Sequence, residues 1–370
     1  MQCRHNCAEL YIYPMEVSMN NTVNRIMICR TDNIGDVVLT LPLAGYLKNN
    51  YPNATISFLC RRYAAGVVRN CRFVDRVITL ESINDPAEFF AELNLDIIVF
   101  AFPSKVLAKA ARKAGIGMRI GTSHRLYHWI YCNKLVHFTR VNSTLHEAQL
   151  NFMLLRPLGL EQPPTLSDIP AMYGLVAPDN PDIKVLFSPH QFNLILHPKS
   201  NGNGREWPIE RYAELACLLR SHSDITLWIT GSTAEGEWIA SHGADLLAMP
   251  NVIDVCGRFD LEGLTSFIGS ANGLIASGTG PMHLAAALGQ RTLGLFPPIK
   301  PIHPARWAPL GVRAQTLCRS ERCIRCEDIN TCSCMLDIAA EEVADIVLGW
   351  LEQVKKVLPE SKQKKVTAHG

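Results

Sequence analysis

Leu274-Ile-Ala-Ser-Gly-Thr-Gly-Pro-Met-His-Leu-Ala-Ala-Ala-Leu-Gly289 carries the strongest structural instruction in the chain. Its apolar opening, Leu274–Ala276, reads as a buried strand, and Ser277-Gly-Thr-Gly280 as a tight turn of small residues. Pro281 suits the first turn of a helix, where its missing N–H costs nothing. Met282 to Leu288 are good helix formers, and Gly289 suits the helix end. A strand therefore runs through a short turn straight into a helix N-terminus. Unpaired N–H groups and the positive end of the helix dipole collect at such a point, so Thr279, Gly280, Pro281, Met282 and His283 form a candidate phosphate or pyrophosphate site. Neither a Walker lysine motif nor a strand-linked dinucleotide glycine fingerprint is present, which excludes a P-loop nucleotide or NAD as the anion.

Outward from this stretch, strand-like and helix-like runs alternate along the chain, the pattern of parallel α/β sheets. In the first half, strands are predicted at 25–30, 55–60, 76–80 and 96–101, with helices at 36–49 and 105–114. In the second half, strands are predicted at 193–197, 225–230, 252–255, 273–276 and 291–296. Helices separate them at 209–220, 234–247 and 261–270. Residues 161–190 are rich in proline and read as a linker. Two Rossmann-like parallel-sheet domains facing a central cleft follow, spanning 25–175 and 176–337. Ligands of such sheets bind at the carboxyl ends of the strands. Residues 338–358 form an amphipathic helix with Val343, Ile346, Val347, Trp350, Leu351 and Val354 on one stripe. Residues 359–370 read as a basic tail.

The 370 residues suffice for two cores, and a formal net charge of +2 gives no bulk argument for nucleic acid. No apolar run is long enough to span a bilayer. Residues 1–24 read as an extension without the apolar segment of a secretory signal. The 13 cysteines form an odd set, which argues against a secreted disulfide scaffold.

Three segments offer chemistry. In Arg30-Thr-Asp-Asn-Ile-Gly-Asp36, Gly35 permits a tight bend after the first strand. Asp36 then opens the next helix, either as a first-turn acid worth about 0.5–2 kcal/mol or as a carboxylate at the cleft floor within reach of a substrate hydroxyl. Asp32 is the weaker candidate, better explained as a turn former. In His197-Pro-Lys-Ser-Asn-Gly-Asn-Gly-Arg-Glu-Trp-Pro208, Lys199 and Arg205 sit in a glycine-rich loop after a strand, placed to meet phosphate oxygens. Cys323-x2-Cys326 with Cys332 and Cys334 fits a structural zinc site, with an iron–sulfur cluster or a redox pair as alternatives.

Together these segments resemble glycosyltransferase family 9, the lipopolysaccharide heptosyltransferases. The resemblance runs in order from Arg25 to Leu358. It is carried by Arg30…Gly35-Asp36-Val-Val…Pro42, Ala114-Gly-Ile-Gly-Met-Arg-Ile-Gly121, Arg205-Glu-Trp-Pro208 and Thr279-Gly-Pro-Met-His-Leu-Ala-Ala-Ala287. It implies a GT-B fold with an N-terminal acceptor domain, a C-terminal nucleotide-sugar domain and a last helix packed across their junction. It further implies an inverting transfer of heptose from ADP-heptose onto a lipopolysaccharide core or lipid-linked acceptor. That places the enzyme in the cytoplasm, peripheral to the inner membrane. Asp36 matches the family's catalytic base, and Arg205 stands where members often carry a phosphate-binding lysine. Thr279, Gly280 and His283 match the donor site. Arg61, Arg62, Arg119 and Arg125 become candidates for an anionic acceptor. Catalysis needs no cofactor and no metal on the donor, and zinc would be structural only. Members commonly have Asp or Asn where this chain has Gly278, which leaves the donor sugar open. Another GT-B nucleotide-sugar enzyme (a transferase of a different sugar, or an epimerase) and a non-catalytic nucleotide-sugar-binding protein are the alternatives.

Overall fold

A computed structural model describes residues 23–140, 143–200, 202, 204–319 and 333–357. Two six-stranded parallel sheets carry the fold. The first contains β1 (Arg25–Cys29), β2 (Thr55–Cys60), β3 (Arg76–Thr79), β4 (Ile97–Phe100), β5 (Met118–Thr122) and β6 (Lys134–Val136) in the order β3-β2-β1-β4-β5-β6. The second contains β7 (Phe192–His197), β8 (Ile225–Ile229), β9 (Val252–Asp254), β10 (Gly273–Ala276), β11 (Arg291–Leu295) and β12 (Ala314–Leu317) in the order β12-β11-β10-β7-β8-β9. Both sheets reverse direction beside their first strand, between β1 and β4 and between β7 and β10. Such switch points open a crevice at the strands' carboxyl ends.

The strand sequences explain why both sheet faces are covered. Ile26 and Ile28 of β1 enter one core, while Met27 and Cys29 enter the core on the opposite face. Each fully buried aliphatic side chain of this kind contributes about 1.5–3 kcal/mol. β10 repeats the device, with Leu274 and Ala276 on one side and Ile275 on the other. The cluster that holds Ile26 also holds Phe267, Leu274, Met282 and Leu284 of the second half. One apolar core is therefore continuous across the domain junction. There the Ile34–Val38 helix meets the Gly280–Ala287 helix, and the Ala65–Arg69 helix meets the Leu261–Ser270 helix.

Several expectations are corrected. The helix expected over 36–49 is two, Ile34–Val38 and Leu41–Asn50. Pro42 has no N–H to continue the first helix. The helix expected over 234–247 breaks at Gly243 into Thr233–His242 and Ala244–Leu247. The last helix, Ala340–Val357, makes its main contacts among the described residues within the second domain, not across the junction as the resemblance implies. Its stripe of Val343, Val347, Trp350 and Leu351 is instead buried in the second domain's own core, beside the Ile209–Leu219 helix. Gly273 makes room for it: a Cβ there would lie 3.1 Å from the Trp350 ring. Among the described residues no helix is long and apolar enough to cross a membrane. The expected extension falls almost wholly, and the basic tail wholly, outside the described residues.

Candidate active site

The carboxyl ends of β1 and β10 face each other across the junction at very short range. A Cβ on Gly280 would lie 2.3 Å from Ile34 Cγ2, and one on Gly35 would lie 3.1 Å from the His283 ring. Both positions are glycine because two backbones approach there. The Asp36 turn and the Thr279-Gly-Pro helix start thus form a single constellation from opposite domains.

On the first-domain side, Arg30 is the organiser. It is 3% exposed. Its Nε donates to Asp32 Oδ1 at 2.7 Å, and its Nη1 donates to the Ala101 carbonyl at 3.1 Å and to Asn151 Oδ1 at 3.3 Å. Its Nη2 donates to Asp36 Oδ1. These bonds commit the guanidinium to holding the two aspartates. Burial pushes the Asp36 carboxyl up to about 6; Arg30 opposes that rise, and Asp32 and Glu147 add to it. A carboxylate tuned to that value is ionised at neutral pH and is a better proton acceptor than an exposed aspartate.

Glu147 is the residue that sequence reasoning missed. Its side chain is 2% exposed and bound by Arg140 at 2.8 Å from its own domain and by Arg306 at 3.0 Å from the other. Next to it, burial holds His146 neutral, its value lowered to about 4. His146 Nδ1 accepts from Ala148 N at 3.1 Å, so Nε2 carries the proton and donates to the Ala308 carbonyl across the junction at 2.9 Å. The available signal was Glu147 sharing a helix face with Leu150 and Asn151, a lone charge on a side that should be buried.

Two cavities open at this junction. The first, about 500 Å³, is lined by Arg30, Asp36, Phe102, His124, Arg125, Arg140 and Arg306 among others. The second, about 620 Å³, lies at the second domain's strand ends and is lined by His197, Lys199, Ser232, Glu235, Asp260, Thr279, Gly280 and Pro281 among others. Asp32 and Phe102 line both, so the two cavities share a wall beside Asp36.

Thr279 is the N-cap of the Gly280–Ala287 helix, yet its side chain makes no cap bond. Thr279 Oγ1 and His283 Nδ1 are buried without a hydrogen-bond partner among the described residues. Gly280 and Met282 present first-turn N–H groups that a helix cannot satisfy internally. Gly278 has φ +54, a region that Asn and Asp also tolerate better than other side chains. Met282 and His283 lie behind this surface, 0% and 3% exposed. Burial, helped by His146, lowers His283 to about 3, so it is a neutral imidazole. Lys199 Nζ pairs with Glu206 at 2.5 Å and stands 3.5 Å over the Trp238 ring. Its loop is pinned by Trp207 N donating to Ser277 Oγ at 3.0 Å, and half-buried Arg205 precedes that anchor in the same loop.

The four acceptor-side arginines are not brought together. Arg125 lines the first cavity and Arg61 the second. Arg62 is exposed. Arg119 spends its guanidinium on the Tyr131 carbonyl at 2.8 Å and on the Ile116 carbonyl. Of the zinc candidates, Cys334 is buried, while Cys323, Cys326 and Cys332 lie outside the described residues.

The family description glycosyltransferase family 9 (heptosyltransferase) matches residues 102–334, more than half of the chain. A Haemophilus influenzae protein described as a glycosyltransferase is 25% identical over 310 residues, covering 78% of this chain and 87% of that protein. The lipopolysaccharide core heptosyltransferase OpsX of the same organism is 22% identical, covering 76% and 81%. The solved structure of the E. coli ADP-heptose lipopolysaccharide heptosyltransferase II superposes with a TM-score of 0.67 at 18% identity, covering 90% of this chain and 99% of that one.

Proposed function

The chain belongs to glycosyltransferase family 9, and we propose that it moves heptose from ADP-heptose onto a lipopolysaccharide core acceptor with inversion, using Asp36 as general base. The fold is GT-B and the activity class is glycosyl transfer. One observation carries the finer reading: Asp36, on a buried arginine, sits across a glycine–glycine contact from a helix N-terminus whose N-cap hydroxyl, Thr279 Oγ1, has no partner among the described residues.

That geometry suits a displacement at the anomeric carbon. The donor pyrophosphate would occupy the 620 Å³ cavity. The N–H groups of Gly280 and Met282, the Thr279 hydroxyl and Arg205 would then meet the charge that grows on the leaving group. The acceptor would enter the 500 Å³ cavity with its hydroxyl toward Asp36. As that oxygen bonds to the anomeric carbon from the face opposite the diphosphate, its proton passes to the Asp36 carboxylate. The anomeric carbon–phosphate oxygen bond breaks, and the nucleoside diphosphate leaves with the electron pair. Arg30 keeps the carboxylate aimed throughout, anchored by its own bonds to Asp32, Ala101 and Asn151. The name of the similar E. coli enzyme supports ADP-heptose as donor, and that of the Haemophilus influenzae relative OpsX supports the lipopolysaccharide core as acceptor. The charge on the diphosphate is met by protein cations and dipoles, so we propose that transfer needs no divalent metal.

Donor identity is tested by thermal shift and turnover with ADP-heptose set against ADP- and UDP-linked hexoses. A ligand at a hundred times its Kd adds about 2.7 kcal/mol of stability. Preference for a UDP-sugar would overturn the ADP-heptose assignment.

A further inference from the structure

The near-neutral net charge conceals a strong segregation. Residues 101–140 contain four Lys and four Arg and no Asp or Glu. The rest of the chain therefore holds 28 of the 36 basic residues against all 34 acidic ones. In the fold this segment forms the two helices beside the first cavity. The β4 loop with Phe102 and Pro103 lines that cavity and runs into the Lys105–Lys113 helix. The β5 loop with His124 and Arg125 lines it and runs into the Leu126–Tyr131 helix.

The two helices pack together and show water an unusual surface. Leu107, Ala108, Ala110 and Ala111 face the core. The opposite face of that helix is Lys105, Val106, Lys109, Arg112 and Lys113, all exposed. On the shorter helix, Leu126 is 85% exposed, Trp129 63% and Ile130 58%. These large apolar side chains are held outward by a fixed backbone. His128 Nδ1 donates to the Thr122 carbonyl at 2.9 Å, Trp129 Nε1 to the Ser123 carbonyl at 2.8 Å, and Arg112 Nη1 to the Ile130 carbonyl at 2.8 Å. Gly121 lets the helix sit this close, since a Cβ there would lie 2.7 Å from His128. Apolar side chains with an aromatic among them, on a segment that carries cations and no acid of its own, match the interface of an anionic bilayer. The nearest acids are on the Pro86–Leu93 helix packed against the lysine helix, where Lys113 acts on the N-cap Asp85.

We propose that this face docks onto a phospholipid bilayer containing anionic lipid. Leu126, Trp129 and Ile130 enter the headgroup boundary, and Lys105, Lys109 and Lys113 meet lipid phosphates. The proposal rests on the acceptor reading above in one respect: docking here would set the mouth of the first cavity at the membrane, where an acceptor anchored by acyl chains is presented.

The test is co-sedimentation of the full chain with phosphatidylcholine vesicles, with and without phosphatidylglycerol. The wild type should bind only the anionic vesicles and release with salt. Each surface cation is worth about fivefold in partition. The variant Lys105→Gln/Lys109→Gln/Lys113→Gln should therefore bind about a hundredfold more weakly, and Leu126→Ser/Trp129→Ser/Ile130→Ser should also lose binding. Circular dichroism and melting temperature check that the variants fold. Independently of them, brominated lipid should quench more of the wild-type tryptophan emission than of that from Trp129→Phe. Failure of the wild type to bind anionic vesicles, equal binding by folded variants, or equal quenching in the two proteins would overturn the proposal. Vesicle binding without sugar transfer would sink the functional reading alone. Transfer to a soluble acceptor without vesicle binding would sink the docking alone.

Discussion

Replacing Asp36 with asparagine separates catalysis from folding more sharply than any other single change. Burial has pushed the carboxyl from its ordinary 3.8 to about 6. At 1.36 kcal/mol per unit, holding the ionised form costs the folded protein about 3 kcal/mol. The sign is that of a raised acid: the stability linked to its protonated form is present below pH 3.8 and is lost as pH rises through 6. A neutral amide at this position avoids that cost and still offers Arg30 an acceptor oxygen. Asp36→Asn should therefore melt no lower than wild type at about pH 7.5, bind donor nearly as tightly, and turn over at least about 10²-fold more slowly. The wild-type profile supplies the second half of the test. Activity should be full above about pH 7 and fall through an apparent pKa near 6, so that about a tenth survives at about pH 5. Stopped turnover assays across that acid limb, with calorimetry on the same samples, measure both. Near-normal turnover in the variant, or a flat acid limb in the wild type, would refute Asp36 as the base. Activity lost together with several degrees of melting temperature would instead mark a structural residue.

Arg205→Ala should weaken ADP binding by about 1.5–3 kcal/mol, the range for charge-assisted bonds; unchanged affinity by titration calorimetry rejects the clamp. Gly280→Ala places a methyl where Ile34 Cγ2 lies 2.3 Å away, so it should depress turnover while each domain stays folded, and wild-type rates would show that the close approach is dispensable. Glu147→Gln strands Arg140 and Arg306 without their carboxylate, which should cost about 3–5 kcal/mol in urea unfolding. Because the Glu147 charge helps raise Asp36, the acid limb of any residual activity should also move to lower pH. Brief chelation should leave the initial rate intact, and a loss restored by Mg²⁺ or Mn²⁺ would overturn metal-free transfer. We further propose that Cys323, Cys326, Cys332 and Cys334 hold a structural zinc; elemental analysis of reduced protein should then find about one zinc per chain, and finding none would remove that proposal.

Period and punctuation alone reached the paired sheets, because buried parallel strands are written as short apolar runs between Gly and Pro. β10 and the Gly280–Ala287 helix are legible residue by residue for that reason. β5, whose Met-Arg-Ile-Gly-Thr is broken by Arg119 and Gly121, β6, three residues long, and β12, half-exposed along its length, carry no such run and escape sequence reading. The site divides in the same way. Asp36 and the Thr279-Gly-Pro turn announce themselves by their place after a strand, whatever lies opposite. Glu147, Arg140 and Arg306 do not, since their chemistry exists only where the two domains meet and bury the Glu147 carboxylate between the two arginines. His283 shows the reverse: its position in the first turn reads as a phosphate ligand, but burial makes it a neutral ring behind the cradle. The two exposed helices beside the acceptor cavity show why a net charge is a poor guide to function. A chain balanced to +2 conceals an acid-free segment over residues 101–140, and the fold packs its lysine-bearing helix against the helix that carries its outward apolar side chains.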